Sequence, residues 1–269
     1  MGSISKGICI ELLDHIFGVG AYTPPTTVYV SLHTADPAET GASECTYTGY
    51  GTRPSTSFGA AASRKIIQAA TPITFPQCTG TGNDATHYGL WTAATAGVFM
   101  GGGSLSSTLN IVSDNTPSIA ASEIEVSFTA GGGTDGQTGI ATYCVHKALD
   151  FLFRNQAFTA PTIKLALTTA VCTDAAIGTE CSGNNYSRLA HSAWDAAVET
   201  GDTLGGRTEN TGVATFATPS GTWGTVTAVA IMDGDTSNML FYGNDVTNQA
   251  VGSGDTVQFA DGALDVSVS

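Results

Sequence analysis

The chain opens with apolar residues at helical spacing, Ile8, Leu12, Leu13, Ile16 and Phe17, interrupted by Glu11, Asp14 and His15. Positions three and four apart share one side of a helix, so this segment predicts a short amphipathic helix. The same pattern returns at Val145, Leu149, Leu152 and Phe153. Pro24-Pro25 and Pro161 follow the two segments and are expected to stop the helices. The period then changes to two. Val28, Val30 and Leu32, and later Ile163, Leu165 and Leu167, alternate with less apolar residues, as in a strand with one buried face. Further short apolar runs occur at Ile73 with Phe75, Tyr88 to Trp91, Val98 to Met100, and Ile124, Val126 and Phe128. Turn residues such as Gly80-Thr81-Gly82-Asn83 and Gly101-Gly102-Gly103 separate them. Strands this closely spaced, with no helices between them, predict antiparallel sheets. The expected fold class is mostly β: two tandem antiparallel β-sandwich modules, of plain or jelly-roll type, each opened by a short α-helix.

Two modules are expected because the halves repeat one another. Leu13-Asp14-His15-Ile16-Phe17 with Ala21-Tyr22-Thr23 matches Leu149-Asp150-Phe151-Leu152-Phe153 with Ala157-Phe158-Thr159, at an offset of 136 (149 minus 13). The same offset pairs Glu44-Cys45 with Glu180-Cys181, Tyr50 with Tyr186, and Phe58 with Trp194. After an insertion around Thr200 to Arg207 the offset becomes 141 (216 minus 75), aligning Phe75 with Phe216, Leu90 with Ile231, and Gly102 with Gly243. The closing Ile124, Val126 and Phe128 answer Leu264, Val266 and Val268. Ala130 to Gly139 is rich in glycine and lacks an apolar anchor, which is linker composition. The expected division is therefore 1–129 for the first module, 130–139 for the linker, and 140–269 for the second, diverged copy.

At 269 residues, 42% hydrophobic and only 12% charged, the chain is too apolar to be disordered. Its net charge of −14 repels phosphate backbones and anionic headgroups, which argues against nucleic-acid and membrane partners. Met1 to Phe17 lacks the continuous apolar core of a signal peptide, and no stretch approaches the length of a spanning helix. Synthesis in the cytoplasm, without a signal peptide, is the matching expectation. The six cysteines, Cys9, Cys45, Cys78, Cys144, Cys172 and Cys181, show no paired metal spacing and are expected as buried thiols. Disulfides at Cys45, Cys172 or Cys181 stay open at this point, since Cys172 and Cys181 bracket a turn-rich segment that a bridge would close.

No constellation of catalytic side chains stands out. His15 adjoins Asp14, but its repeat counterpart is Phe151, so a helix-surface or interface histidine is expected. His33, His87, His146 and His191 fall on different predicted elements, without metalloprotease or serine-hydrolase spacing. Asp84, Asp114, Asp135, Asp174, Asp233, Asp235 and Asp255 mostly sit in turn-like sequence, where a carboxylate accepts backbone hydrogen bonds. Asp233-Gly234-Asp235 lacks the remaining ligands of a calcium loop and reads as a hairpin turn. Gly101-Gly102-Gly103-Ser104 has no following lysine, fails as a phosphate loop, and reads as a bend. No catalytic, cofactor-binding or metal residue is assigned, no cofactor is expected, and the protein is expected not to be an enzyme. Trp91, Trp194 and Trp223 are the candidates for stacking on sugar rings, should the chain recognise a glycan.

Several strings carry a family likeness. Glu11-Leu12-Leu13-Asp14-His15-Ile16-Phe17, Ala21-Tyr22-Thr23-Pro24-Pro25, and Val28-Tyr29-Val30-Ser31-Leu32-His33-Thr34-Ala35-Asp36-Pro37 resemble the opening of small structural proteins of tailed bacteriophages, often labelled tail-fibre or tail proteins. Ile73-Thr74-Phe75-Pro76, His87-Tyr88-Gly89-Leu90-Trp91 and Asp114-Asn115-Thr116-Pro117-Ser118-Ile119-Ala120-Ala121 resemble that family's middle and closing turn. The likeness covers most of residues 8–128 and the outline of the second copy. It implies a non-enzymatic virion protein, exposed on the particle as a capsid decoration or as a tail or collar fibre component. The implied partners are other virion proteins, capsid or tail and neck subunits, together with further copies of the chain. A host-surface glycan is the alternative partner.

Overall fold

A computed structural model of the chain describes residues 2–128, 130–131, 138–199 and 205–269. In the first repeat, β1 (Ser3–Ile4), α1 (Lys6–Ile16), β2 (Val28–His33), β3 (Ser55–Thr56), β4 (Ala85–Trp91) and β5 (Phe99–Leu109) follow in order. In the second, β6 (Thr138–Ile140), α2 (Thr142–Arg154), β7 (Ile163–Thr168), β8 (Leu189–Ala190), β9 (Ala228–Asp233) and β10 (Met239–Gly243) do the same. Each set forms a five-stranded antiparallel sheet, ordered β1-β5-β4-β2-β3 and β6-β10-β9-β7-β8. The mostly β, twice-repeated architecture expected from the pattern is thus present.

The central strands are buried on both faces. In β2, Val28, Val30 and Leu32 lie on one face and Ser31 and His33 on the other, and all are inaccessible or nearly so. Such a sheet must be covered on both sides. Smaller antiparallel ribbons supply further buried apolar residues. In the first repeat they pair Lys65–Ile67 with Glu125–Ser127 and Ile73–Thr74 with Ser118–Ile119. In the second, Ala214–Thr215 pairs with Gln258–Phe259, while Gly206–Glu209 and Asp265–Val268 are the central pair of a four-stranded antiparallel sheet.

The two repeats agree to the level of a bulge. Leu90 pairs with Gly101 and Trp91 with Phe99, so Met100 is the extra residue. Ile231 pairs with Phe241 and Met232 with Met239, so Leu240 is extra at the equivalent place. This register corrects one alignment: Gly102, opposite Gly89, corresponds to Tyr242, opposite Ala230, rather than to Gly243. The glycine run is also not a bend. Gly101 to Gly103 lie inside β5, and a side chain at Gly101 would strike the backbone oxygen of Ser3 on the neighbouring β1. The glycines let β1 approach closely.

The prolines do not end the helices. The α1 helix stops at Ile16, with Gly18 at φ +72° and the amides of Val19 and Gly20 bonded back to the Asp14 carbonyl. Asn155, at φ +52°, plays the same part after α2, with the Gln156 amide bonded to the Asp150 carbonyl. A left-handed residue just past the last turn satisfies the open carbonyls, so termination comes well before Pro24 and Pro161.

The chain forms two compact units that do not follow the order of the repeats. Unit 1 comprises Met1–Cys9, Thr23–Phe128 and His146–Phe158; unit 2 comprises Ile10–Tyr22, Thr129–Val145 and Thr159–Ser269. Each unit therefore contains one repeat's sheet and the end of the other repeat's helix. Most of the expected linker 130–139 falls outside the described residues. Of its described ends, Ala130–Gly131 pairs with Ser267 and Val268, and Thr138–Gly139 belongs to β6.

Candidate functional site

Within unit 1, the Glu44 carboxylate sits beside β2. It accepts both Nε (2.9 Å) and Nη2 (2.7 Å) of Arg53 and the Tyr50 hydroxyl (2.9 Å). Tyr50 in turn accepts the Leu32 amide. Burial opposes the charge on Glu44, yet the bonds from Arg53 and Tyr50 hold its carboxyl below the ordinary value. Unit 2 repeats the arrangement with Glu180, Arg188 Nε (2.9 Å) and Nη2 (2.8 Å), the Tyr186 hydroxyl (3.0 Å) and the Leu167 amide. A second clamp is also duplicated. Gln68 Oε1 accepts the Ile124 amide, and Asn210 Oδ1 accepts the Leu264 amide, with both side chains buried. The repeat alignment pairs Glu44 with Glu180 and Tyr50 with Tyr186, whereas Arg53 and Arg188 stand at an offset of 135 (188 minus 53), out of step with the 136 of the others. These groups saturate one another's hydrogen bonds and serve as struts.

The first repeat adds a buried polar cluster. His33 and His87 are directly opposed on β2 and β4. His33 Nδ1 lies 2.6 Å from the Ala42 carbonyl oxygen, which can only accept, so Nδ1 carries the proton. Nε2 then accepts from Ser31 Oγ at 2.6 Å, and Ser31 accepts from Trp91 Nε1 at 2.7 Å. Burial pushes the His33 pKa down, favouring this neutral tautomer. A serine donating to an imidazole suggests a nucleophile, but Ser31 and His33 are both fully buried. The Gly89 backbone also crosses so closely that a Cβ there would lie 2.6 Å from both side chains. No substrate atom has room to approach. Arg53 stacks on Trp91 at 3.6 Å from the ring centroid and closes the outer side.

The remaining candidates are dispersed. His15 is buried, which removes the helix-surface alternative and leaves that of an interface histidine; its Nδ1 accepts the Tyr22 amide. His146 Nε2 accepts the Arg64 amide, and His191 packs edge-on to Trp194. Asp233 to Thr236 form the turn between β9 and β10, where Asp233 accepts the amides of Asp235 and Thr236 and the Thr236 hydroxyl. Burial works against its charge, and these bonds prevail, lowering its pKa. Asp135 lies outside the described residues. All six cysteines are buried and none is joined in a disulfide, and burial pushes the thiol of Cys9 up to about 12. Among the described residues, no group of three or more His, Cys, Asp or Glu side chains is placed to hold a metal ion, and no helix is long and apolar enough to cross a membrane.

The tryptophans do not form a sugar platform. Trp91, Trp194 and Trp223 are 8%, 7% and 5% exposed, so their faces are spent on packing. Unit 1 does carry a shallow groove of about 500 Å³ beside the edge strand β3. Thr26, Thr27, Ser55 and Thr56 line it with hydroxyls, and Arg154 and Gln156 close one side. Arg154 is held by Asp150 at 3.0 Å. The groove offers hydrogen-bonding groups and no opposed pair of carboxylates.

Comparison with known proteins gives one family. The model described as podophage GP4 fiber I protein gp80 matches residues 3–127 and again 139–267. No curated protein matches the chain.

Proposed function

Because the chain belongs to the podophage GP4 fiber I protein gp80 family, we propose that it is a non-enzymatic structural component of a tailed-phage particle, displayed as part of a tail or collar fibre. The double match across nearly the whole chain carries this reading. Two copies of one module in a single chain double the contact surface offered to neighbouring virion subunits, and a linked pair gains avidity without new chemistry. The proposed partners are tail or neck subunits and further copies of the chain. A net charge of −14 keeps such a protein away from packaged nucleic acid. Capsid decoration is the competing placement; the fibre description of the family favours the tail or collar. Recognition of a host glycan has no tryptophan platform to rest on and would fall to the hydroxyl-lined groove of unit 1.

The test is gold-labelled antibody against this chain on purified particles of a phage that encodes it, viewed by electron microscopy. Label on fibres at the tail or collar is expected. Label spread over the head lattice would replace the fibre placement with decoration, and particles free of label would overturn the virion role.

A further inference from the structure

The same contact occurs twice, each time between a helix end from one repeat and a strand region of the other. In unit 2, Asp14 Oδ1 of α1 accepts the Ala197 amide at 2.7 Å, and the Phe17 ring lies 4.2 Å from Trp194 and 5.7 Å from Phe241. In unit 1, Asp150 Oδ1 of α2 accepts the Ala61 amide at 2.9 Å, and the Phe153 ring lies 5.2 Å from Phe58. Apart from Phe241, the residues are repeat equivalents. Asp14 answers Asp150, Phe17 answers Phe153, Ala61 answers Ala197 and Phe58 answers Trp194, all at an offset of 136 (150 minus 14). A contact in which i of one copy meets j of the other, and j of the first meets i of the second, is the mark of a self-complementary exchange. Independent modules joined by a linker would instead seat each helix end in its own repeat.

We infer that the two repeats are an internally exchanged pair, in which each completes its core with the end of the other's helix. The exchanged ends are core material: Phe17 and Phe153 are 3% and 5% exposed, and Leu13, Ile16, Leu149 and Leu152 are fully buried. Helices of 11 and 13 residues are too short to persist alone in water, so their order depends on this packing. Neither repeat is therefore a self-sufficient module. The partner that completes one repeat is a second copy of the same repeat, supplied here within the chain.

The experiment uses the full chain with a specific protease site placed between Gly132 and Gly136 and the photo-reactive p-benzoylphenylalanine in place of Phe153. After cleavage, the two fragments are expected to elute together at the size of the intact chain under native conditions. On irradiation, the benzophenone at position 153 should attach to the peptide that carries Phe58, joining the two fragments in a denaturing gel. Fragments that separate on cleavage would overturn the inference. So would cross-links confined to residues 140–269. The cross-linked peptide is also mapped by mass spectrometry in the uncut chain, where attachment to the peptide that carries Phe58 is expected and attachment confined to residues 140–269 would again overturn the inference.

Discussion

Strands β2 and β4 of the first repeat and β7 and β9 of the second share one register, yet they fill the same place with different chemistry. Ser31, His33, Gly89 and Trp91 in the first correspond to Ala166, Thr168, Ala230 and Met232 in the second. One copy closes its interior with a hydrogen-bonded serine, histidine and tryptophan; the other packs alanines and methionines. The scaffold therefore does not need the polar cluster. What both copies keep is the Glu-Tyr-Arg strut, the Gln or Asn clamp and the exchanged helix end. Features that survive divergence in both copies define the fold, and the cluster is a local solution in one of them.

The comparison is broken most severely at the helix ends. Phe17→Ala and Phe153→Ala should each cost about 3–5 kcal/mol in denaturant unfolding, because a buried ring is lost and a cavity remains. Phe17→Ala should loosen the strands around Trp194 and Phe241 in the second repeat, and Phe153→Ala those around Phe58 in the first. Next come the struts. Removing one partner of a half-buried ion pair should cost about 2 kcal/mol, between the exposed and fully buried cases. Arg53→Ala should exceed Arg188→Ala, since Arg53 is less exposed (10% against 24%) and also stacks on Trp91 and donates to the Ala96 carbonyl.

Gly89→Ala sharpens the contrast between the interiors. The added Cβ meets His33 and Ser31 at 2.6 Å and should cost about 1–3 kcal/mol by overpacking. In a Ser31→Ala, His33→Thr background, which imports the second repeat's residues, most of that cost should vanish; equal costs in both backgrounds would refute the steric account. The smallest effect is on pH. Burial, opposed by the Ala42 carbonyl and Glu44, holds the His33 pKa below its ordinary 6.5. Between the two values the unfolded chain takes up the proton and the folded chain does not. Stability from this group is present above 6.5 and is lost as the pH falls through the folded value. Urea titrations at falling pH should show this loss in the wild type and a shallower slope in His33→Thr.

Much of the architecture was legible in the periodicity. Helical spacing located both helices, and alternation at Val28 to Leu32 and Ile163 to Leu167 located the central strands, because burial on a face imposes those periods directly. The helix ends are not legible in the same way: prolines are conspicuous, whereas Gly18 and Asn155 act through backbone conformation alone. The Gly101 to Gly103 run has turn composition, and only the nearness of β1 explains its place in a strand. Pairing of His33 with His87, and of Arg53 with Glu44, depends on register and loop closure, which local spacing does not encode. The exchange of helix ends was invisible for the same reason: Asp14 and Phe17 read alike whichever repeat receives them.

The exchange is tested most directly by hydrogen exchange resolved to single amides in an Asp14→Ala variant. The Ala197 amide, 183 residues along the chain, should lose its protection while that of Ala61 keeps its own from Asp150. Loss of protection at Ala61 with Ala197 unchanged would mean that α1 is seated in its own repeat, and would contradict the exchanged pair.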